Sequence, residues 1–332
     1  MTVNVTCYGV RDVEVEFFNK LNKYDYNLTI VKSSLNDETI EKAKNADAVI
    51  IRASCKANGE NIKKLAGYGV KYVLTRTVGF NHVDLNAAKE NDIKVARVPA
   101  YSPNAIAELA VTLSMMLLRH TAHATARTKV KDMTIDSFMF SKEIRNCTVG
   151  ILGAGRIGLT AAKLFKGLGA KLVAYDIFQS DQAKEVVEFL PLDEVLATSD
   201  VISMHLPYIK GENYHMVNGD FLNKMKDGAI LVNTSRGELQ DAEAILKAVE
   251  SGKLGGYGTD VFENETTIFF KNWQEKPLPN LTVEKLISLY PKVLVTPHIG
   301  SYTDQAVTNM VEISYDNLND FLTSGECKNE VK

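Results

Sequence analysis

Three ionisable side chains of different kinds stand just beyond apolar runs in the second half of the chain. Arg236 follows AILVNTS, Glu265 comes shortly after GGYGTDV, and His298 follows KVLVTP. Each run reads as a buried strand, so each charge falls at or past a strand end, the edge on which α/β sheets bind ligands. By type they are a cation suited to gripping an anion, an acid, and a group that titrates near neutral pH. Far apart in sequence, they could converge in one crevice. A fourth feature lies upstream: GAGRIG at Gly153–Gly158 follows the apolar run CTVGIL and opens the amphipathic stretch RIGLTAAKLFKGLGA. Gly153 permits the tight turn, Gly155 lets a pyrophosphate approach the backbone, and Gly158 lets helix and strand pack closely. Arg156 and Ile157 then sit at a helix N-terminus facing phosphate charge. The next strand, KLVAYD, ends in Asp176, at the spacing of an acid that binds ribose hydroxyls. Asp176 would repel a 2′-phosphate and no arginine follows in IFQSDQ, so the expected cofactor is NAD rather than NADP.

The elements that must position these groups alternate from one end of the chain to the other. Short apolar runs separated by amphipathic segments predict an α/β fold with parallel sheets covered by helices. In the first hundred residues the strands are VNVTCYG, LTIVK, DAVIIR, KYVLTRT and KVARVP; a second series runs from CTVGILG through KLVAYD, VVEFL, DVISMHLP, GAILVNTS and GGYGTDV to KVLVTP. Between them lies YSPNAIAELAVTLSMMLLR, apolar on nearly every face, which predicts a helix buried all round. The closing segment TDQAVTNMVEISYDNLNDFL puts Val307, Met310, Val311, Ser314, Leu318, Phe321 and Leu322 on one helical stripe with Thr303 as cap, a helix suited to packing back on the first series.

Composition narrows the classes. With 332 residues, 45% of them hydrophobic, the chain is long enough for two domains. A formal net charge of −3 gives no basic surface for nucleic acid. No apolar run has the roughly 18 residues of a membrane span, and MTVNVTCYGVRDVE carries no charged leader, so a cytoplasmic protein without membrane association is expected. Cys7, Cys55, Cys147 and Cys327 are scattered, as reduced thiols would be. His120 and His123 are three residues apart, but no acid or thiolate completes a ligand set; no metal is expected, and both are assigned to solvent or an interface.

Taken together the motifs resemble the D-specific 2-hydroxyacid dehydrogenases over nearly the full length: GAGRIG with Asp176, HLP at His205–Pro207, NTSRGEL around Arg236, GTDVFENE ending in Glu265, TPHIGSYT around His298, and AYSPNAIAELA. The resemblance implies two doubly wound Rossmann-like domains with mostly parallel sheets and a cleft between them. Residues 1–101 and 300–332 would form a discontinuous substrate domain and 102–299 an inserted NAD domain, usually in a homodimer built on the long helix. It implies that Arg236 holds the carboxylate of a 2-oxo acid, that His298 is the acid/base and that Glu265 is its paired carboxylate. Hydride addition to a ketone builds negative charge on oxygen, and a protonated imidazole there both stabilises that charge and supplies the proton. Further implied contacts are the backbone N–H groups of Val78 and Gly79 and the Tyr101 hydroxyl for the substrate, and His205, Pro207, Thr234, Ser235 and Asp260 for the cofactor.

Arg52, at the end of DAVII, falls where the family meets the substrate's side chain, and lactate-type members tend to carry an uncharged residue there. A cation in that place suits a second carboxylate. Ser301, beside Tyr302, stands where lactate-type members often carry a bulky ring, which leaves room. The expected reaction is therefore 2-oxoglutarate to (R)-2-hydroxyglutarate. If Arg52 instead pairs with a nearby acid, D-lactate or D-2-hydroxyisocaproate dehydrogenase is the alternative. From another class, an NAD(H)-sensing binding protein on the same fold shares these motifs.

Overall fold

The structure is a computed structural model that describes residues 2–332. The chain divides into two compact units, one formed by residues up to Ser102 together with Tyr302–Lys332, the other by Pro103–Ser301. Each is built on one sheet whose strands pair in parallel with one another, with an isolated antiparallel bridge between Ala96 and Glu330 in the first.

In the discontinuous unit, β1 (Asn4–Tyr8), β2 (Asn27–Val31), β3 (Ala48–Ile51), β4 (Tyr72–Thr75) and β5 (Lys94–Arg97) are ordered β2-β1-β3-β4-β5. β3 is buried at all four residues, as a central strand covered on both faces must be. Val49, Ile51, Val73 and Val95 pack with Ile62 and Leu65 of the helix Gly59–Gly67. The closing helix Asp304–Ser324 is capped by Thr303, whose hydroxyl accepts the Ala306 N–H. It packs against β4 and β5, stacking Phe321 on Tyr72. Leu322, expected on its buried stripe, is instead 40% exposed, because one step beyond Phe321 turns about 100° off that face. The buried stripe takes in Tyr315 and Asn317 as well; the Asn317 amide donates to the Arg97 carbonyl at 2.9 Å.

The second unit contains β6 (Thr148–Leu152), β7 (Lys171–Tyr175), β8 (Glu188–Phe189), β9 (Val201–Met204), β10 (Ala229–Asn233), β11 (Leu254–Thr259) and β12 (Val293–Val295), ordered β12-β11-β10-β9-β6-β7-β8. The helix Pro103–Leu118 packs on β10, β11 and the helix Arg156–Gly167. Gly256 and Gly258 leave room for Leu117 and Leu113, which a Cβ would meet at 3.1 and 3.2 Å. This helix is not buried on every side as its sequence predicts. Glu108 and Thr112 are exposed, and Val111, Met115 and Met116 are only half-buried within the unit, because sheet and neighbouring helix cover one flank. Val130, Met133, Ile135 and Phe140, which follow it, are likewise exposed. Among the described residues no helix is long and apolar enough to cross a membrane.

Candidate active site

Arg236, Glu265 and His298 follow β10, β11 and β12, three strands adjacent in the sheet. Backbone hydrogen bonds carry the parallel pairing past the strand ends, with Asp260 N–H donating to Asn233 O (3.0 Å), Thr296 N–H to Thr259 O (2.9 Å) and His298 N–H to Asp260 O (3.1 Å). His298 takes a left-handed conformation (φ 52°), and its Nδ1 is hydrogen-bonded to Glu265 Oε1. The other carboxylate oxygen of Glu265 accepts the Phe262 N–H at 3.2 Å, which fixes the acid to its own loop. With Nδ1 engaged, Nε2 is the nitrogen left to exchange a proton with a ligand. Arg236 is exposed, its Nη1 donating to the Ser235 carbonyl at 2.6 Å. The opening apolar run therefore does not bury its charge.

The backbone beside Arg236 is tied to the segment that leads to Glu265. A Cβ on Gly237 would stand 2.0 Å from the carbonyl carbon of Phe262 and 2.3 Å from the Glu263 nitrogen, so only glycine fits there. Asp260 is buried and gathers the loop that presents His298. Its carboxylate accepts Thr296 Oγ1 (2.6 Å) and the Ile299 and Gly300 N–H groups (both 2.8 Å). Burial raises its pKa above the ordinary carboxylate value, and these bonds partly oppose the shift.

The glycine turn has the shape the fingerprint requires. Gly153 has φ 92° and lies against the His205 backbone, where a Cβ would come within 2.8 Å; a Cβ on Gly158 would meet the Gly153 carbonyl oxygen at 1.9 Å. Gly155 faces open space and caps the helix Arg156–Gly167, so the position leaves room for a phosphate at the helix N-terminus. Arg156 is exposed and Ile157 half-buried. Asp176 accepts the Ala154 N–H (2.7 Å) and the Phe178 N–H (2.9 Å), bracing the turn from the next strand. Two buried polar atoms among the expected cofactor residues have no hydrogen-bond partner, Thr234 Oγ1 and His205 Nδ1. Nε2 of His205 meets Ser203 Oγ at 2.9 Å, and burial lowers its pKa to about 4, so the ring is neutral. Ser235 turns inward to Asn233, and Pro207 is exposed, its carbonyl accepting the Asn213 amide. The residues fit NAD: a glycine turn with space above it, an acid at the second strand end, and orphaned polar atoms beside them.

In the discontinuous unit the carboxyl edge of the sheet carries Arg11, Arg52 and Arg76. Arg76 and Glu14, both 2% exposed, are paired, with both carboxylate oxygens within 3.2 Å of the guanidinium. Arg52 is half-buried, with Nη1 3.4 Å from the Gly9 carbonyl that Arg76 also engages. Burial, followed by the charges of Arg76 and Arg11, lowers the Arg52 pKa to about 10 against the opposing pull of Glu14. Arg11 lies 4.0 Å over the ring of Tyr302. The Val78 carbonyl is held by Arg97 at 3.0 Å, which turns the Gly79 N–H of the same trans peptide the opposite way. Tyr101 is half-buried in this unit; Ser301, also half-buried, ends the other.

Sequence reasoning missed Arg11, Arg76 and Glu14, whose pairing spans 62 positions of chain. It also missed His82, which bonds Thr75 at 3.1 Å behind the Val78–Gly79 loop and whose pKa burial lowers to about 4. His120 and His123 are not free in solvent: both rings pack on Phe138, and His123 bonds Asp136 at 2.8 Å.

The sequence model described as "D-isomer specific 2-hydroxyacid dehydrogenase, NAD binding domain" matches residues 111–300. An aromatic 2-oxoacid reductase of Clostridium sporogenes is 39% identical over 330 residues, 99% of each chain. A D-lactate dehydrogenase of Lactiplantibacillus plantarum is 38% identical over 333 residues, again 99% of each. The NAD-complexed D-isomer specific 2-hydroxyacid dehydrogenase of Lactobacillus delbrueckii ssp. bulgaricus superimposes with a TM-score of 0.84 at 31% identity, covering 99% of this chain and all of that one.

Proposed function

The chain belongs to the D-isomer specific 2-hydroxyacid dehydrogenases and is an NAD-dependent enzyme of that family, and we propose that its substrate is a dicarboxylic 2-oxo acid, 2-oxoglutarate, reduced reversibly to (R)-2-hydroxyglutarate. One observation supports the choice of substrate: Arg11, Arg52 and Arg76 gather at the carboxyl edge of the five-stranded sheet, close enough for Arg76 and Arg11 to lower the Arg52 pKa, with buried Glu14 paired to Arg76 and Arg11. A second carboxylate placed beside Arg52 would relieve the mutual repulsion of these cations.

NADH, when bound, supplies the hydride. The chain's residues do the rest. Arg236 grips the carboxylate next to the carbonyl bidentately, shared with the N–H groups of Val78 and Gly79, and Tyr101 approaches the same end. His298 presents Nε2 to the carbonyl oxygen and gives up its proton as charge develops there, while Glu265 holds the ring through Nδ1. In oxidation the ring starts neutral and takes the proton. Gly153–Gly158 and Asp176 hold the pyrophosphate and adenosine ribose, with Arg156, Ile157, His205, Pro207, Thr234, Ser235 and Asp260 lining the rest of the cofactor's path. Arg52, Ser301 and Tyr302 are assigned to the far end of the substrate. Exposed Val130, Met133, Ile135 and Phe140 support a homodimer, and four buried free cysteines support a reducing, cytoplasmic setting.

The names of the relatives favour a second reading, an aromatic 2-oxo acid or pyruvate as substrate. Comparing kcat/KM on 2-oxoglutarate, pyruvate, 2-oxoisocaproate and phenylpyruvate separates them. Under the dicarboxylate reading 2-oxoglutarate leads, and Arg52→Tyr lowers its kcat/KM by about 10- to 100-fold, the worth of a charge-assisted hydrogen bond, while sparing pyruvate. A wild-type preference for phenylpyruvate, or a dicarboxylate preference that survives Arg52→Tyr, would refute it.

A further inference from the structure

Gln240 is the first residue beyond the short turn Gly237–Leu239 that follows Arg236, and it is 2% exposed. An amide this deep must satisfy its oxygen and nitrogen or forfeit stability. Its Oε1 accepts two bonds at 2.8 Å, from the Tyr257 hydroxyl on β11 and from Asn233 Nδ2 at the end of β10, and its Nε2 donates to the Val261 carbonyl at 3.0 Å. Reversing the amide would set donor against donor and oxygen against oxygen, so its orientation is forced.

The three partners lead to the reacting groups. Asn233 Nδ2 donates to the carbonyl of Arg236 itself at 2.9 Å, and Asn233 Oδ1 receives the N–H and hydroxyl of Ser235. Val261 opens the segment whose next residue, Phe262, donates its N–H to Glu265, and Glu265 in turn holds His298. A single buried side chain thus bridges the turn that carries Arg236 and the loop that carries Glu265. We propose that Gln240 is a positioning residue that fixes the spacing between the substrate-binding guanidinium and the Glu265–His298 pair. This rests on the roles given to those three residues above.

Gln240→Met keeps the volume and removes the bonds, stranding the Tyr257 hydroxyl and one hydrogen of the Asn233 amide; adding Tyr257→Phe removes the first of these. The expected result for Gln240→Met is a higher KM for the 2-oxo acid together with a lower kcat, a loss in kcat/KM on the order of 10²-fold, as for reacting groups misplaced by about 1 Å. NADH affinity, measured by fluorescence titration, falls by much less than kcat/KM, because the glycine turn and Asp176 follow β6 and β7, away from β10, and only the Thr234, Ser235 and Asp260 part of the cofactor's path adjoins Asn233. In the double variant the melting temperature recovers in part and kcat/KM does not. Recovery of kcat/KM along with the melting temperature, or a Gln240→Met enzyme with wild-type kinetics, would overturn the proposal. Arg236→Ala separates the two levels: if it leaves kcat/KM intact, the reading of the site falls and this inference with it. If it abolishes turnover while Gln240→Met does not, only the positioning role falls.

Discussion

Gly237→Ala adds one methyl group at the tightest backbone contact beside the proposed site. The new Cβ would stand 2.0 Å from the Phe262 carbonyl carbon, 2.3 Å from the Glu263 nitrogen and 2.4 Å from the Phe262 oxygen, where ordinary contact begins at 3.4 Å. None of these atoms can swing away as a side-chain tip could. One backbone must therefore retreat by more than about 1 Å in a close-packed interior. Phe262 is 3% exposed and packed against Phe269, so the easier movement is of the turn that bears Gly237, which carries Arg236 with it. Overpacking of this kind costs about 1–3 kcal/mol, a fall in melting temperature of roughly 2–12 °C. A shift of about 1 Å in the groups that orient a substrate costs on the order of 10²-fold in kcat/KM. Steady-state kinetics with saturating NADH, a melting curve and an NADH titration measure the three quantities separately. An enzyme that melts several degrees lower yet keeps kcat/KM within twofold would show that Arg236 does not take its position from this contact, and the reasoning would fail.

Two further substitutions test the flanks of the site. Glu14→Gln leaves Arg76 buried and charged, and a loss of about 3–5 kcal/mol is expected. Burial alone would raise the Glu14 pKa, but the charge and hydrogen bonds of Arg76, the Arg11 N–H and the charge of Arg52 together outweigh it, and the carboxyl lies below its ordinary value. That stability is therefore present above the unfolded pKa and lost as pH falls through the folded one. Chemical denaturation from neutral to acid pH should show wild type and variant converging on the acid side; parallel curves would refute the assignment. Asp176→Ser removes the proposed acceptor of the ribose hydroxyls and the repulsion of a 2′-phosphate. The ratio of kcat/KM for NADH to that for NADPH should fall by on the order of 10-fold or more, and an unchanged ratio would place cofactor choice elsewhere.

The strands were legible because a parallel sheet covered on both faces forces continuous apolar runs, and AILVN at β10 is buried at all five positions. That Arg236, Glu265 and His298 follow strands could be read from the same runs. That the three strands are neighbours could not, since the order β12-β11-β10 is set by crossovers that leave no local mark. The helix Pro103–Leu118 shows the limit of composition: its faces are all apolar enough for burial, but the sheet and the helix Arg156–Gly167 cover one flank, leaving Met115 and Met116 half-buried. Arg76 and Glu14 were illegible for a different reason, because two charges 62 positions apart carry no periodic signature.

Gln240 joins these two kinds of illegibility. In sequence it is a polar residue among ordinary turn residues, GELQDAE, and polarity there predicts solvent. In the fold it lies under the turn because Gly237 permits the two backbones to close, and closing them buries whatever side chain follows. An apolar residue at 240 would satisfy burial but strand Tyr257 and one hydrogen of Asn233. The same close approach that brings the Arg236 turn to the Glu265 segment thus creates the buried polar site that Gln240 fills, so the glycine and the glutamine are two halves of one device. Their effects should then be less than additive: once Gly237→Ala has parted the segments, Gln240→Met has little spacing left to disturb. A double variant whose loss in kcat/KM equals the product of the two single losses would show instead that each acts alone.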